Sequence, residues 1–249
     1  MPSPHRDLIL AELRTRVRRI ERGHVSARRA VLPFGAVPMD CHLGGGLALG
    51  VLHEVMGGGG DMPHGAAAAL FIAGILARLP GPVLWCLQRR DLFAPGLGHA
   101  GLDPDRVIYA ETGDTAATLL IMEEGLRHGG LAGVVGEVSR LPMVATRRLQ
   151  LAAESKGVTG FALCRWQAAA QKEPSAAVSR WRISSLPSAP LPVPGIGRAR
   201  WQVALLRCRG VEPAQWMMEA CDAQGRLAVP AGLADGPAAA ADGRNSAAA

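Results

Sequence analysis

The chain has 249 residues, with 27 Lys plus Arg against 21 Asp plus Glu, a formal charge of +6. Apolar types make up 49% and charged types 19%, while aromatics are scarce and Gly plus Pro (31 and 18) form about a fifth of the chain. This composition excludes global disorder and a collagen repeat. No uninterrupted apolar span approaches the roughly 18 residues a membrane helix needs, and the first 20 residues lack the apolar stretch of a signal peptide. Five well-separated cysteines form no CxxC pair, so neither a disulfide framework nor a zinc knuckle is expected. The sequence reads as a cytoplasmic protein with reduced thiols, Cys86 and Cys164 lying in apolar runs as small hydrophobes.

In chain order, residues 1–30 are expected to form an N-terminal amphipathic helix, with Leu10, Leu13, Val17 and Ile20 as its stripe and arginines around the rest. Either a docked, solvated helix or a nucleic-acid contact fits that pattern. Residues 31–50 read as loop-rich, because the run Leu43-Gly44-Gly45-Gly46-Leu47 resists regular structure. A strand is expected over 51–56, a glycine loop over 57–65 and a helix over 66–79, ended by Pro80-Gly81. A strand follows at 83–87, a loop or short helix at 92–102 and a short strand at 107–110. Then come a helix at 114–128, a strand at 131–138, a helix at 143–156 and a strand at 160–165. In the first of these helices Leu119, Leu120, Met122 and Leu126 are assigned to the buried side. This alternation predicts an α/β fold with a mostly parallel sheet and helices on both faces. The alternating segments 178–186 and 200–209 predict an antiparallel extension with one wet face, and 211–230 a further strand. The domain reading is thus 1–30, a core over 31–230 whose strand-rich part is 178–230, and a disordered tail over 231–249.

A strand, a glycine loop and a helix are the setting of a phosphate cradle. Gly57, Gly58, Gly59, Gly60 and Gly65 supply the loop, but the helix begins Ala66-Ala67-Ala68. There is no lysine for the phosphates and no Ser or Thr hydroxyl for Mg²⁺. His64 is the nearest cation. Of the carboxylates, Asp91 stands late for a water-activating acid, and Glu137 is read as a polar residue at the sheet edge. His53 and Glu54, as neighbours on a strand, point to opposite faces. No HExxH or GxSxG motif is present, and no catalytic residue, cofactor or metal is assigned.

The order of Leu43-Gly44-Gly45-Gly46-Leu47, Gly50, strand, glycine loop and helix resembles the core of RecA-type recombinases. The chain as a whole, over about residues 5–230, resembles the ImuA family of bacterial SOS mutagenesis proteins, of the SulA/RecA-like grouping. The runs that carry this are Thr146-Arg147-Arg148-Leu149-Gln150-Leu151-Ala152-Ala153-Glu154-Ser155-Lys156-Gly157, Ser179-Arg180-Trp181-Arg182-Ile183 and Trp201-Gln202-Val203-Ala204-Leu205-Leu206-Arg207. The resemblance implies a RecA-like P-loop NTPase core with a degenerate P-loop. The lysine-bearing motif falls on Gly65-Ala66-Ala67, the catalytic glutamate near Arg90 and the Walker B acid on Glu137. It implies a non-catalytic adaptor in translesion DNA synthesis after DNA damage. Its partners would be an ImuB-like Y-family polymerase homologue, a DnaE2-type polymerase and RecA, with self-association and DNA contact through the complex. A RecA-like DNA-dependent ATPase and a SulA-like cell-division inhibitor are the alternatives. Leu13, Val17 and Ile20, with Arg147, Arg148 and Lys156, are the candidate partner or DNA contacts.

Overall fold

A computed structural model describes residues 12–13, 29–165, 174–189, 195 and 197–230. Val17, Ile20 and the 231–249 tail lie outside the described residues, so those expectations rest on sequence alone. The chain enters through a two-residue strand β1 (Val31–Leu32), a short helix α1 (Val37–Leu43) and β2 (Leu47–Ala48). Residues 31–50 are therefore more ordered than expected. The glycine run ends α1: Gly44 takes a left-handed φ of 73°, and a Cβ on Gly46 would collide with the Leu32 carbonyl.

Among the described residues, ten strands form the β1–β2 pair and one eight-stranded sheet. The large sheet comprises β3 (Leu52–Gly57), β4 (Val83–Leu87), β5 (Val107–Glu111), β6 (Gly133–Val138), β7 (Thr159–Cys164), β8 (Ser179–Leu186), β9 (Arg200–Cys208) and β10 (Ala214–Glu219). Their spatial order is β10-β9-β8-β3-β7-β6-β4-β5. All neighbours from β5 to β8 pair in parallel, whereas β9 and β10 run antiparallel. Residues 178–186 thus require a correction: β8 joins the parallel sheet through β3, and only its other edge is antiparallel. Which neighbour a strand takes is a long-range choice that its own alternation does not encode.

Helix α2 (Ala66–Ala77) and the short α3 (Ala94–His99) pack on one face; α4 (Thr115–His128) and α5 (Met143–Lys156) cover the other. The first face holds the aromatic core, where Trp181 stands 5.8 Å from both Phe34 and Phe71. Nearly all of α2 is buried, as its Ala-rich, charge-free sequence requires. Its C-terminus is closed by Arg106, whose guanidinium donates to the carbonyls of Ala77 (3.2 Å) and Gly81 (2.7 Å). Asp114 caps α4 by accepting from the Ala117 N–H at 2.8 Å, and Gly129 closes it at a φ of 77°. Met122 and Leu126 are buried as expected, but Leu120 is 57% exposed: it lies on the outer side of α4, beyond the stripe that meets the sheet. Cys86 and Cys164 are buried, and burial pushes the Cys86 thiol up to about 12.

Candidate functional site: the glycine loop and an arginine hub

In a parallel sheet the carboxyl ends of the strands share one edge, where loops meet and ligands bind. Here that edge gathers four charged groups. Asp61 lies in the loop after β3, Asp91 after β4, Glu137 at the next-to-last position of β6, and Arg165 directly after β7. The Arg165 guanidinium binds all three carboxylates. Its Nη2 donates to Asp61 Oδ2 at 2.7 Å and to Asp91 Oδ2 at 2.9 Å. Nη1 donates to Asp91 Oδ1 at 2.7 Å and to Glu137 Oε2 at 2.8 Å.

Glu137 is not at a sheet edge. It is fully buried on a strand flanked by β4 and β7, and it also accepts from Trp85 Nε1 at 3.1 Å. Burial raises its pKa, with Arg165 and Trp85 pulling the other way. The Arg165 hydrogen bond holds Asp91 below the ordinary carboxylate range. Burial works against the Arg165 cation, but its bonds to Asp61, Asp91 and Glu137 outweigh that cost and raise its pKa. Gln88 continues the network, donating to the Glu137 carbonyl at 2.9 Å and to Thr115 Oγ1 at 3.0 Å. The sequence reading noted Asp91 and Glu137 separately and missed the hub. The signal available was a charged residue at the end of each of several apolar strands.

The glycine loop itself is fastened to β8. The Gly58 N–H donates to the Ile183 carbonyl at 2.8 Å, and the Ser185 N–H donates to His64 Nδ1 at 2.9 Å. Residues 61–65 close into a π-helical turn that runs straight into α2. Of the expected loop residues, Gly57 lies at the end of β3, Gly58–Gly60 are exposed, and Gly65 is buried against Asp61. His64 is held against β8 by the Ser185 bond, its ring turned toward that residue.

The seam gives a direct prediction. A Cβ at Gly58 would meet Ser184 Oγ at 1.8 Å and Ser184 Cβ at 2.9 Å, so rotating the hydroxyl relieves only the first contact. Gly58→Ala is expected to cost about 1–3 kcal/mol in urea unfolding. That penalty should shrink in a Ser184→Gly background; equal penalties in both would show that the seam does not form.

A cleft of about 620 Å³ lies beside the hub, floored by Ala66, Ala69 and Leu97 and rimmed by the exposed Met62 and Phe93. Among the described residues, no group of His, Cys, Asp or Glu side chains is arranged to hold a metal ion. Among them, too, no helix is long and apolar enough to cross a membrane. Arg90, where the family's glutamate would fall, instead pairs with exposed Glu111 at 2.8 Å. The other candidate contacts are dispersed. Leu13 is 52% exposed, Arg147 and Lys156 are exposed on α5, and Arg148 is tied to Glu123 of α4, which also binds Arg127.

No family model matches the chain. It is 42% identical over 206 residues to Protein ImuA of Caulobacter vibrioides (strain NA1000 / CB15N), covering 78% of this chain and 84% of the relative. Protein ImuA of Caulobacter vibrioides (strain ATCC 19089 / CIP 103742 / CB 15) matches to the same extent. Among solved structures, the crystal structure of the RadB recombinase aligns with a TM-score of 0.56 at 16% identity, covering 80% of this chain and 100% of that one. That likeness establishes a RecA-like fold with a mixed, mostly parallel sheet and flanking helices.

Proposed function

The chain belongs to the ImuA family, and from that premise we propose that it is a non-catalytic accessory protein of a damage-inducible mutasome. In this reading it supports error-prone translesion DNA synthesis in the cytoplasm with an ImuB-like polymerase homologue, a DnaE2-type polymerase and RecA. The glycine loop is a degenerate P-loop.

The observation that carries this reading is the Arg165 hub. A nucleoside triphosphate with its Mg²⁺ needs a lysine over the phosphates, a hydroxyl on the metal and a carboxylate free to hold the metal's water. Ala66 and Ala67 stand at the helix start, and the three nearest carboxylates are all engaged by one guanidinium. Even with Arg89, which lines the same cleft, the cations number two against three carboxylates, so no surplus positive charge is left for a polyphosphate. The residues present do not fit the nucleotide, so no hydrolytic step is derived. The protein then acts through its surfaces, and the RecA-like fold serves as their frame.

The test is nucleotide binding and hydrolysis by the purified full chain with Mg²⁺, with and without single-stranded DNA. The expected result is no Mg²⁺-dependent turnover under either condition. Hydrolysis abolished by substitutions within 57–65 would overturn the adaptor reading.

A further inference from the structure

Helices α4 and α5 do not cover their whole face of the sheet. Their apolar cluster ends at Leu52, Met56, Ala177 and the partly buried Leu206. Beyond it, β8, β9 and β10 turn alternate residues outward. Trp181, Ile183, Trp201, Val203, Trp216 and Met218 point into the opposite, aromatic core. Arg180 and Arg182, Gln202 and Ala204, and Gln215 and Met217 therefore share the other face, as the pairing of Arg182 with Ala204 and of Gln215 with Ala204 requires.

This face carries surplus positive charge. Arg180 and Arg207 lie opposite each other on β8 and β9, and Arg180 pairs with the buried Glu54. Arg207 donates to the Ala177 carbonyl at 2.6 Å, and Glu54 also lies in its field. Two guanidiniums thus face one carboxylate before Arg182 is counted. Arg182 is half-buried, and among the described residues its guanidinium has no ion pair or hydrogen bond. It lines a surface cavity of about 300 Å³ whose other walls are mostly apolar, formed by Ala204, Leu206, Pro213 and Ala214. Met217, on the same face, is 44% exposed.

We propose that the face of β8–β10 around Arg182 docks an acidic protein segment. A carboxylate of that segment takes the Arg182 fork, and an adjacent apolar side chain fills the cavity between Leu206 and Pro213. Two features favour a peptide over single-stranded nucleic acid. The three tryptophans of these strands face the opposite core, leaving no platform on which bases could stack. The cavity walls beside Arg182 are apolar and shaped for a side chain, where a phosphate backbone would need further cations. A planar guanidinium in a partly apolar recess is suited to bidentate carboxylate capture. The inference goes beyond the nucleotide reading and stands whether or not the cleft binds ATP.

The test is fluorescence anisotropy with the purified full chain and a fluorescein-labelled octapeptide of alternating Glu and Leu. Matched probes are the same peptide with Gln for Glu, and a 12-nucleotide oligothymidylate. The expected result is saturable, salt-sensitive binding of the Glu/Leu peptide, weakened at least tenfold by Arg182→Glu and by the milder Arg182→Gln. Arg226→Glu, an equal charge change at an exposed position in the loop after β10 that packs on α2, on the opposite face, should leave it intact. Circular dichroism and thermal midpoints identify any variant that fails to fold, and Arg182→Gln then carries the comparison. Undiminished peptide binding by Arg182→Gln overturns the proposal, as does equal affinity for the Gln peptide. Binding of the oligothymidylate in place of the peptide, lost in Arg182→Gln, would reassign the face to nucleic acid.

Discussion

Arg165→Ala is expected to destabilise the fold by about 3–5 kcal/mol, the cost of removing one partner from a buried charge cluster. Most of that cost falls on Glu137, whose side chain is fully buried; Asp91, at 43% exposure, and Asp61, at 25%, recover much of their solvation from water. Trp85 Nε1 and the Gln88 amide would still hold Glu137 in place, so its charge would remain buried with no cation beside it. The measurement is the urea midpoint at pH 7. An Arg165→Met, Glu137→Met pair should regain much of the loss, because it removes the fully buried carboxylate with its cation and leaves only Asp61 and Asp91, which water reaches. The sign with pH is also fixed. Arg165 lowers the Glu137 pKa, so its removal raises a value that burial has already raised. In Arg165→Ala the carboxyl therefore binds its proton at higher pH than in the parent, and the penalty shrinks as pH falls. A loss below about 1 kcal/mol at pH 7 would mean that the guanidinium does not hold the strand ends together.

The hub also marks where sequence reading stopped. Helices α4 and α5 were legible because their signals are local: Asp114 followed by an apolar periodicity, and Gly129 and Gly157 in left-handed caps. The parallel direction of β3, β4, β6 and β7, though not their order, followed from alternation with helices of fitting length. In the sequence Arg165 is only the end of a strand, because its partners at 61, 91 and 137 are 104, 74 and 28 residues away. Their meeting is a property of the sheet, which brings the carboxyl ends of separate strands to one edge. The same limit explains β8, whose alternation is compatible with either neighbour direction until β3 is placed beside it. The missing lysine was a local fact and was legible; what stands in its place was not.

The second large effect is a loss of stability in mild acid that traces to His53. This residue is 1% exposed, and its two ring nitrogens are committed in one direction. Nε2–H donates to the Ala48 carbonyl at 2.8 Å, while Nδ1 accepts from the Ser179 hydroxyl at 2.6 Å. The Ser179 oxygen in turn accepts from Trp181 Nε1 at 2.7 Å, so its proton is free to point at the imidazole. A charged ring would donate from both nitrogens, reversing the Ser179 bond and turning the hydroxyl proton away from the imidazole toward some other acceptor. Burial drives the His53 pKa down from 6.5 to about 4, with the Ala48 bond opposing. The folded value lies below the unfolded one, so the unfolded chain takes up the proton first as pH falls. Stability is therefore intact above about pH 6.5, declines through the interval down to about pH 4 and levels off beneath it. The slope is about 1.4 kcal/mol per pH unit, for a total of about 3 kcal/mol. His53→Gln keeps a donor for Ala48 and cannot ionise. It should start less stable at pH 7, through its lost Ser179 contact, yet lack this decline. Subtracting the two urea-unfolding profiles cancels the carboxylates common to both, including Glu137. A difference that does not change between pH 7 and pH 4.5 would show that the folded ring accepts its proton as readily as the unfolded one, and that the Trp181–Ser179–His53 chain does not form.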